Sequence, residues 1–188
     1  GNHPPQRLLF SDQLRNDAKS IVERLQDYGL DTCLLSGDQK GTVEKIANKV
    51  GIKDYHSALS PVDKYQYLEA LKLKGHHVLM VGDGINDAPS LAAAQVSMSP
   101  STAMDITQNA ADIVFQGKKL MPVIESWQVS LRANTLVRQN FMLAVAYNVV
   151  AIPLAVVGYV TPLIAAIAMS GSSLVVIANS FRLTRRNK

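Results

Sequence analysis

The hydrophobic pattern divides the chain in two. Up to about residue 118, short apolar runs alternate with stripes at helical spacing, whereas residues 139–181 are mostly apolar and carry no charge. In the first part, residues 8–10 are a short strand candidate. Ala18, Ile21, Val22 and Leu25 form a helical stripe within 17–28, and Gly29 supplies its stop. Residues 32–35 predict a strand; Val43, Ile46, Ala47 and Val50 predict a helix over 42–50, closed by Gly51. A weak strand around 55–58 precedes a helix that Pro61 opens and Gly75 ends. Residues 78–81 read as a buried strand, with an Ala/Leu helix after Asp87, Ala88, Pro89 and Ser90. Two shorter strands, 95–98 and 112–115, are bridged by a helix near 103–109. Strands alternating with helices at this spacing predict an α/β domain, a parallel sheet with helices on both faces.

The uncharged stretch adds a second class of structure. About 43 residues between Arg138 and Arg182 suffice for two membrane spans of ~20 residues each. We expect them at 141–160 and 162–181, joined by the short turn Gly158-Tyr159-Val160-Thr161-Pro162, hence antiparallel. The expected organisation is a partial cytoplasmic domain over 1–118, a linking helix over 119–140, two transmembrane helices within 141–181 with a short extracytoplasmic turn, and a basic tail over 182–188. Arg132 and Arg138 precede the first span, and Arg182, Arg185, Arg186 and Lys188 follow the second. Basic residues at both outer ends predict that the soluble part and the C-terminus are cytoplasmic.

Net charge of +4 is modest, and no folded face collects the basic residues, so a nucleic-acid partner is not expected. The single Cys33 excludes a disulfide framework, and its apolar run suggests a buried structural thiol. His3, His56, His76 and His77 show no ligand spacing and read as surface or packing residues. Residues 1–30 lack an apolar core segment, so no cleavable signal peptide is expected; the breaker-rich residues 1–5 read as a cut end.

Three loops carry the candidate chemistry. Asp83, between Gly82 and Gly84, follows the strand 78–81, the place where open α/β sheets bind ligands. Asp83 and Asp87 are hard oxygen donors suited to Mg²⁺, with Asn86 beside them, and the two glycines permit close approach. Ser36, in Ser36-Gly37-Asp38, offers a hydroxyl to phosphate oxygens. Lys64 sits at a helix start, where its ammonium can offset developing phosphoryl charge. Each of these also has an ordinary reading as a turn, a solvated lysine or a helix cap.

Their order changes the reading. Ser-Gly-Asp at 36–38, Pro61-Val62-Asp63-Lys64, and Gly82-Asp83-Gly84-Ile85-Asn86-Asp87-Ala88-Pro89 resemble the signature of P-type ATPases. The family usually has Thr where Ser36 stands, a departure that keeps the hydroxyl. Asp12 and Arg15 resemble the family's Asp-x-x-Arg segment. The resemblance implies a haloacid dehalogenase-like, Rossmann-like phosphorylation domain, here partial, that uses Mg²⁺ and, with a nucleotide-binding domain, ATP. It implies catalytic roles for Ser36, Asp38, Lys64, Asp83, Asn86 and Asp87, Mg²⁺ ligation by Asp83 and Asp87, and cofactor-binding glycines Gly37, Gly82 and Gly84. The family is phosphorylated on the Asp of Asp-Lys-Thr-Gly-Thr, and no such string occurs here. The nucleotide-binding and actuator domains are also missing, so the resemblance covers nearly all of this chain but only the C-terminal part of a pump.

Polar groups inside hydrocarbon are costly and are functional suspects. The first span holds Tyr147 and Asn148, the second Met169, Ser172, Ser173 and Asn179. A thioether favours Cu(I), although Ser and Gly also let spans pack closely. Tyr-Asn followed by Met-x-x-Ser-Ser is similar to the Cu(I)-transporting branch of the heavy-metal ATPases, which implies Tyr147, Asn148, Met169, Ser172 and Ser173 as Cu(I) site residues. Residues 94–100 and 109–116 resemble the FixI-like subgroup that supplies copper for haem–copper oxidase assembly. The expected function is thus the C-terminal portion of a Cu(I)-exporting P-type ATPase in the bacterial inner membrane. Its partners would be the lipid bilayer, the N-terminal remainder of the pump, a copper chaperone and oxidase assembly factors. Two other readings stay open: a membrane-anchored Mg²⁺/phosphate-binding module complementing another chain, and a phosphatase using Asp12. The second is weakened because Leu14 stands where such phosphatases carry an acid/base Asp.

Overall fold

The computed structural model describes residues 14–183; the strand expected at 8–10, Asp12, and Arg185, Arg186 and Lys188 lie outside them. The described residues fall into two compact units, dividing between Ile124 and Glu125.

In the first unit, helix follows strand as the pattern predicts. Helix α1 (Ala18–Asp27) buries Ala18 and Ile21, and α2 (Lys40–Val50) buries Val43, Ala47 and Val50. These positions recur every three or four residues, one stripe per helix, and the two helices pack together. Gly51 ends α2 at φ 84°, its N–H bonded to the Ala47 carbonyl at 2.9 Å, a left-handed close that side chains resist. Helix α3 (Pro61–Leu73) starts with a reciprocal cap, Ser60 Oγ accepting from the Asp63 N–H and Asp63 accepting from the Ser60 N–H. It packs on α4 (Ala88–Ala93).

The strands are β1 (Cys33–Leu35), β2 (Asp54–His56), β3 (Leu79–Val81), β4 (Val96–Pro100) and β5 (Ile113–Phe115). Among the described residues all pairings are parallel, but the expected single sheet is two: β1 with β2, and β3-β4-β5. Strand β4 is central and buries Ser97, Met98, Ser99 and Pro100. Strand β3, expected to be buried, is not: among the described residues it has β4 on one side only, and Leu79 and Val81 are 40% and 36% exposed. Cys33 likewise belongs to an edge strand and is exposed rather than buried. Met98, Phe115 and Val123 form a core with Leu120 against them. Short helix α5 (Asp105–Asn109) lies between β4 and β5 in sequence.

Two helices are long and apolar enough to cross a membrane. Helix α6 (Met121–Val156) has 36 residues without a break, with Pro153 inside it. At ~1.5 Å per residue it far exceeds a hydrocarbon core of ~30 Å, so the expected linking helix and first span are one element. Gly158 turns the chain at φ 84°, and α7 (Pro162–Ser180) begins with Thr161 Oγ1 accepting from the Ile164 N–H. At the other end of the pair, Asn179 Nδ2 donates to Asn140 Oδ1 at 2.9 Å, and Asn140 Nδ2 donates to Ser180 Oγ at 3.0 Å.

Candidate functional site

Strand β3 runs into Gly82, Asp83 and Gly84, and a single 3-10 turn (Ile85–Asp87) then leads to α4. This sharp reversal returns Asp87 to the strand end. Its Oδ2 accepts from the Gly84 N–H at 3.2 Å. A Cβ on Gly82 would stand 2.9 Å from the Asp87 Cβ, so the packing requires glycine there. Thr107 of α5 donates its hydroxyl to the Gly84 carbonyl at 3.0 Å and is fully buried.

The cap at Ser60 sets the direction of α3, and Lys64 lies one turn in. Its Nζ donates to Asp87 Oδ1 at 2.7 Å, with side chains only 11% and 14% exposed. At that burial neither charge is well solvated, so each depends on the other. Asp87 therefore has both oxygens engaged inside the protein. Asp83 differs: its side chain is 64% exposed, and its Oδ2 accepts from Arg15 at 3.2 Å. Arg15, Val81, Gly82, Asp83, Pro100, Phe115 and Leu120 line a cleft of about 140 Å³. An exposed carboxylate on a tight turn, opening onto a small cleft and backed by a buried Lys–Asp pair, fits a hard cation that keeps its own waters. The donor available to it is Asp83; Asp87 is positioned to brace the loop. Asn86 is exposed on the 3-10 turn.

Ser36, Gly37 and Asp38 follow β1 and are tied to the segment after β2. Ser36 N–H donates to the His56 carbonyl at 3.0 Å, and the Leu59 and Ala58 N–H groups donate to the Ser36 and Asp38 carbonyls at 3.1 and 2.8 Å. The Ser36 hydroxyl donates to Asp38 Oδ2 at 3.0 Å and accepts the Asp38 N–H at 3.1 Å. A Cβ on Gly37 would meet the Leu59 carbonyl at 3.3 Å. The structure thus joins Lys64 to Asp87, and Ser36 to Asp38; among the described residues no hydrogen bond links these two groups.

In the membrane set, the hydrogen bonds of Asn148 and Ser173 stay within single helices. Asn148 Nδ2 donates to the Ala144 carbonyl at 2.9 Å and Ser173 Oγ to the Met169 carbonyl at 3.1 Å, both within their own helices. Among the described residues no hydrogen bond joins Tyr147 or Asn148 to Met169, Ser172 or Ser173. Met169 is 68% exposed.

Sequence reasoning missed Asp17. Its Oδ2 accepts from the Leu120 and Met121 N–H groups at 2.7 and 3.0 Å, capping the start of α6 from about a hundred residues away. No local signal could reveal a cap supplied from so far along the chain. It also missed Asp112, whose Oδ2 takes the Ser97 N–H and hydroxyl at 2.8 and 2.9 Å.

A family model for haloacid dehalogenase-like hydrolases matches residues 3–95. Nitrogen fixation protein FixI of Rhizobium meliloti is 48% identical over 94% of this chain, which corresponds to 23% of that protein. Two copper pumps are each 38% identical over 95% of this chain, and their names give opposite directions. They are "Probable copper-importing P-type ATPase A" of Enterococcus hirae and "Copper-exporting P-type ATPase" of Staphylococcus epidermidis, of which the chain spans 25% and 22%. Among solved structures, a zinc-transporting PIB-type ATPase in its E2.Pi state matches with TM-score 0.87 at 28% identity, over 93% of this chain and 28% of its own. The chain spans about a quarter of the length of the relatives it matches.

Proposed function

We propose that this chain, homologous over 95% of its length to copper-transporting P-type ATPases, is the C-terminal portion of a Cu(I)-exporting member. It would supply the Mg²⁺/phosphate half of the phosphorylation site and the last two membrane helices. The observation that carries the reading is the buried Lys64–Asp87 pair behind exposed Asp83, at the C-terminal end of a parallel strand.

Asp83 would hold the Mg²⁺, which when bound offsets negative charge on phosphate oxygens. Lys64 and Asp87 hold each other, so the loop that presents Asp83 is set before ligand arrives. The Ser36 hydroxyl, at the end of β1, can turn from Asp38 to a phosphate oxygen. Arg15 releases Asp83 when a cation competes for the same oxygen.

The open edges of β1 and β3 leave room for strands from the rest of such a pump. Each of these strands leads directly into one of the phosphate loops, and each has one edge without a strand partner among the described residues. A parallel strand from the remainder of the pump, joining these edges, would bring its own terminal carboxylate to the same end of the sheet. In the membrane part, the proposed Cu(I) residues sit on helices that would meet the missing spans, where Tyr147, Asn148, Met169, Ser172 and Ser173 would complete a site.

The test is Cu(I)-stimulated ATP hydrolysis and copper movement in proteoliposomes, comparing this chain alone with the chain co-expressed with an N-terminal pump portion. Activity only in the pair, abolished by Asp83→Asn and reduced by Met169→Ala, with copper leaving the ATP-exposed side, is the expected result. Net copper movement towards the ATP side would reverse the direction. ATP hydrolysis by this chain alone would overturn the reading that it supplies only part of the phosphorylation site.

A further inference from the structure

Beside the Ser36 loop, the β1–β2 pair assembles three different metal-ligating side chains. The parallel register sets Cys33 opposite Asp54, and His56 follows two residues on, so it emerges on the same side of the strand as Asp54. One ligand atom from each of Cys33, Asp54 and His56 lies within 4.8 Å of the others. His56 Nε2 is 3.3 Å from Asp54 Oδ1. Two metal–ligand arms of about 2.0 Å at a tetrahedral angle put their ends about 3.3 Å apart, so this pair already has the spacing of two ligands on one ion.

We propose that Cys33, Asp54 and His56 form a site for Zn²⁺ or a similar borderline transition-metal ion, with a fourth position open to water. A thiolate, an imidazole and a carboxylate are the donors such ions take, and they do not suit Mg²⁺ or Ca²⁺, which want oxygen alone. The surroundings orient the ligands. Tyr67 of α3 donates its hydroxyl to Asp54 Oδ2 at 3.3 Å and accepts from the Cys33 thiol at 3.7 Å. Its ring packs against His56 with centroids 4.6 Å apart. With the thiol turned from Tyr67 to the metal, the Tyr67–Asp54 bond remains as an outer support.

Partial desolvation against its neighbours pushes the Cys33 thiol up to about 11, opposed by the Tyr67 hydrogen bond and assisted by the Asp54 carboxylate. A thiol binds such an ion as its thiolate, so binding releases a proton from sulfur. The site also reaches the phosphate loop, because the His56 carbonyl accepts the Ser36 N–H at 3.0 Å. A metal clamping β1 to β2 would stiffen the strand end that presents Ser36.

Cys33 is the only cysteine in the sequence, which makes thiol labelling a direct readout. The purified full chain, in detergent, is treated with a maleimide with and without equimolar Zn²⁺ and followed by intact mass. We expect Zn²⁺ to slow labelling at least about tenfold, EDTA to restore it and Mg²⁺ to have no effect. Co²⁺ should bind one to one with a thiolate charge-transfer band that Cys33→Ser abolishes and His56→Ala weakens. Unchanged labelling in Zn²⁺ would overturn the site without recourse to any variant. So would a stoichiometric Co²⁺ spectrum that survives Cys33→Ser.

Discussion

Lys64 and Asp87 stand 2.7 Å apart, nitrogen to oxygen, though 23 residues separate them and little solvent reaches either. Removing one partner leaves a desolvated charge. We expect Lys64→Ala or Asp87→Ala to cost about 3–5 kcal/mol. The double variant Lys64→Met/Asp87→Leu should cost less than the sum of its singles. Melting of the purified chain in detergent, followed by near-UV circular dichroism, measures both; additive losses would mean the pair is uncoupled.

Gly82 and Gly171 should respond differently to the same methyl group. A Cβ at Gly82 collides with Asp87 at 2.9 Å, whereas one at Gly171 meets nothing within 4 Å. Gly82→Ala is expected to disturb the Asp87 brace and weaken Mg²⁺-dependent phosphate binding by calorimetry. Gly171→Ala should leave both binding and the melt unchanged. Equal effects would show that the crowding at Gly82 is easily relieved.

The Asp63 carboxyl is held below its ordinary value of 3.8, first by the Ser60 hydroxyl and then by the Ser60 amide. A depressed carboxylate adds stability above its unfolded pKa, and the contribution disappears as pH falls through the lower folded value. Ser60→Ala should raise the Asp63 pKa towards 3.8 in a carbon-13 titration. The same substitution should cost about 1 kcal/mol at neutral pH, through loss of the helix cap. A titration unmoved by Ser60→Ala would break the assignment.

Asp17 holds the first turn of α6 by two N–H bonds, at 2.7 and 3.0 Å. Asp17→Ala should destabilise that turn by about 1–2 kcal/mol. Amide hydrogen exchange should rise selectively at Leu120 and Met121, and Asp17→Asn should retain part of the protection. Exchange raised uniformly over the first unit would instead indicate a global loss.

Asn179 bridges the paired ends of α6 and α7 through Asn140. A double-mutant cycle on Asn140→Ala and Asn179→Ala should return a coupling of about 0.6–2 kcal/mol, the range for hydrogen bonds between membrane helices. Steric-trapping unfolding in bicelles gives the quantity. A coupling of zero would mean the two amides exchange freely with headgroup water.

Much of this protein was legible before any coordinates. Helices α1 and α2 were written in stripes such as Val43, Ala47 and Val50, with glycines at their ends, because a helix repeats a face every three to four residues. The uncharged stretch announced two apolar helices, since charge in hydrocarbon is too costly to scatter there. Residue types and order alone named Ser36, Lys64, Asp83 and Asp87 as candidates.

Partnership, however, is a property of three dimensions. Only the fold decided that Asp87 is committed to Lys64 while Asp83 stays exposed, and that Asp17 caps a helix on the far side of the sequence. Only the fold, among the described residues, split the expected sheet in two, leaving Leu79 and Val81 exposed on an edge that an alternating pattern cannot distinguish from an interior strand. It also turned Cys33, Asp54 and His56 from unrelated residues into neighbours, because strand register, not chain spacing, sets who faces whom. Local periodicity determines which face of an element is apolar; tertiary packing determines what that face, and every polar group beside it, finds to meet.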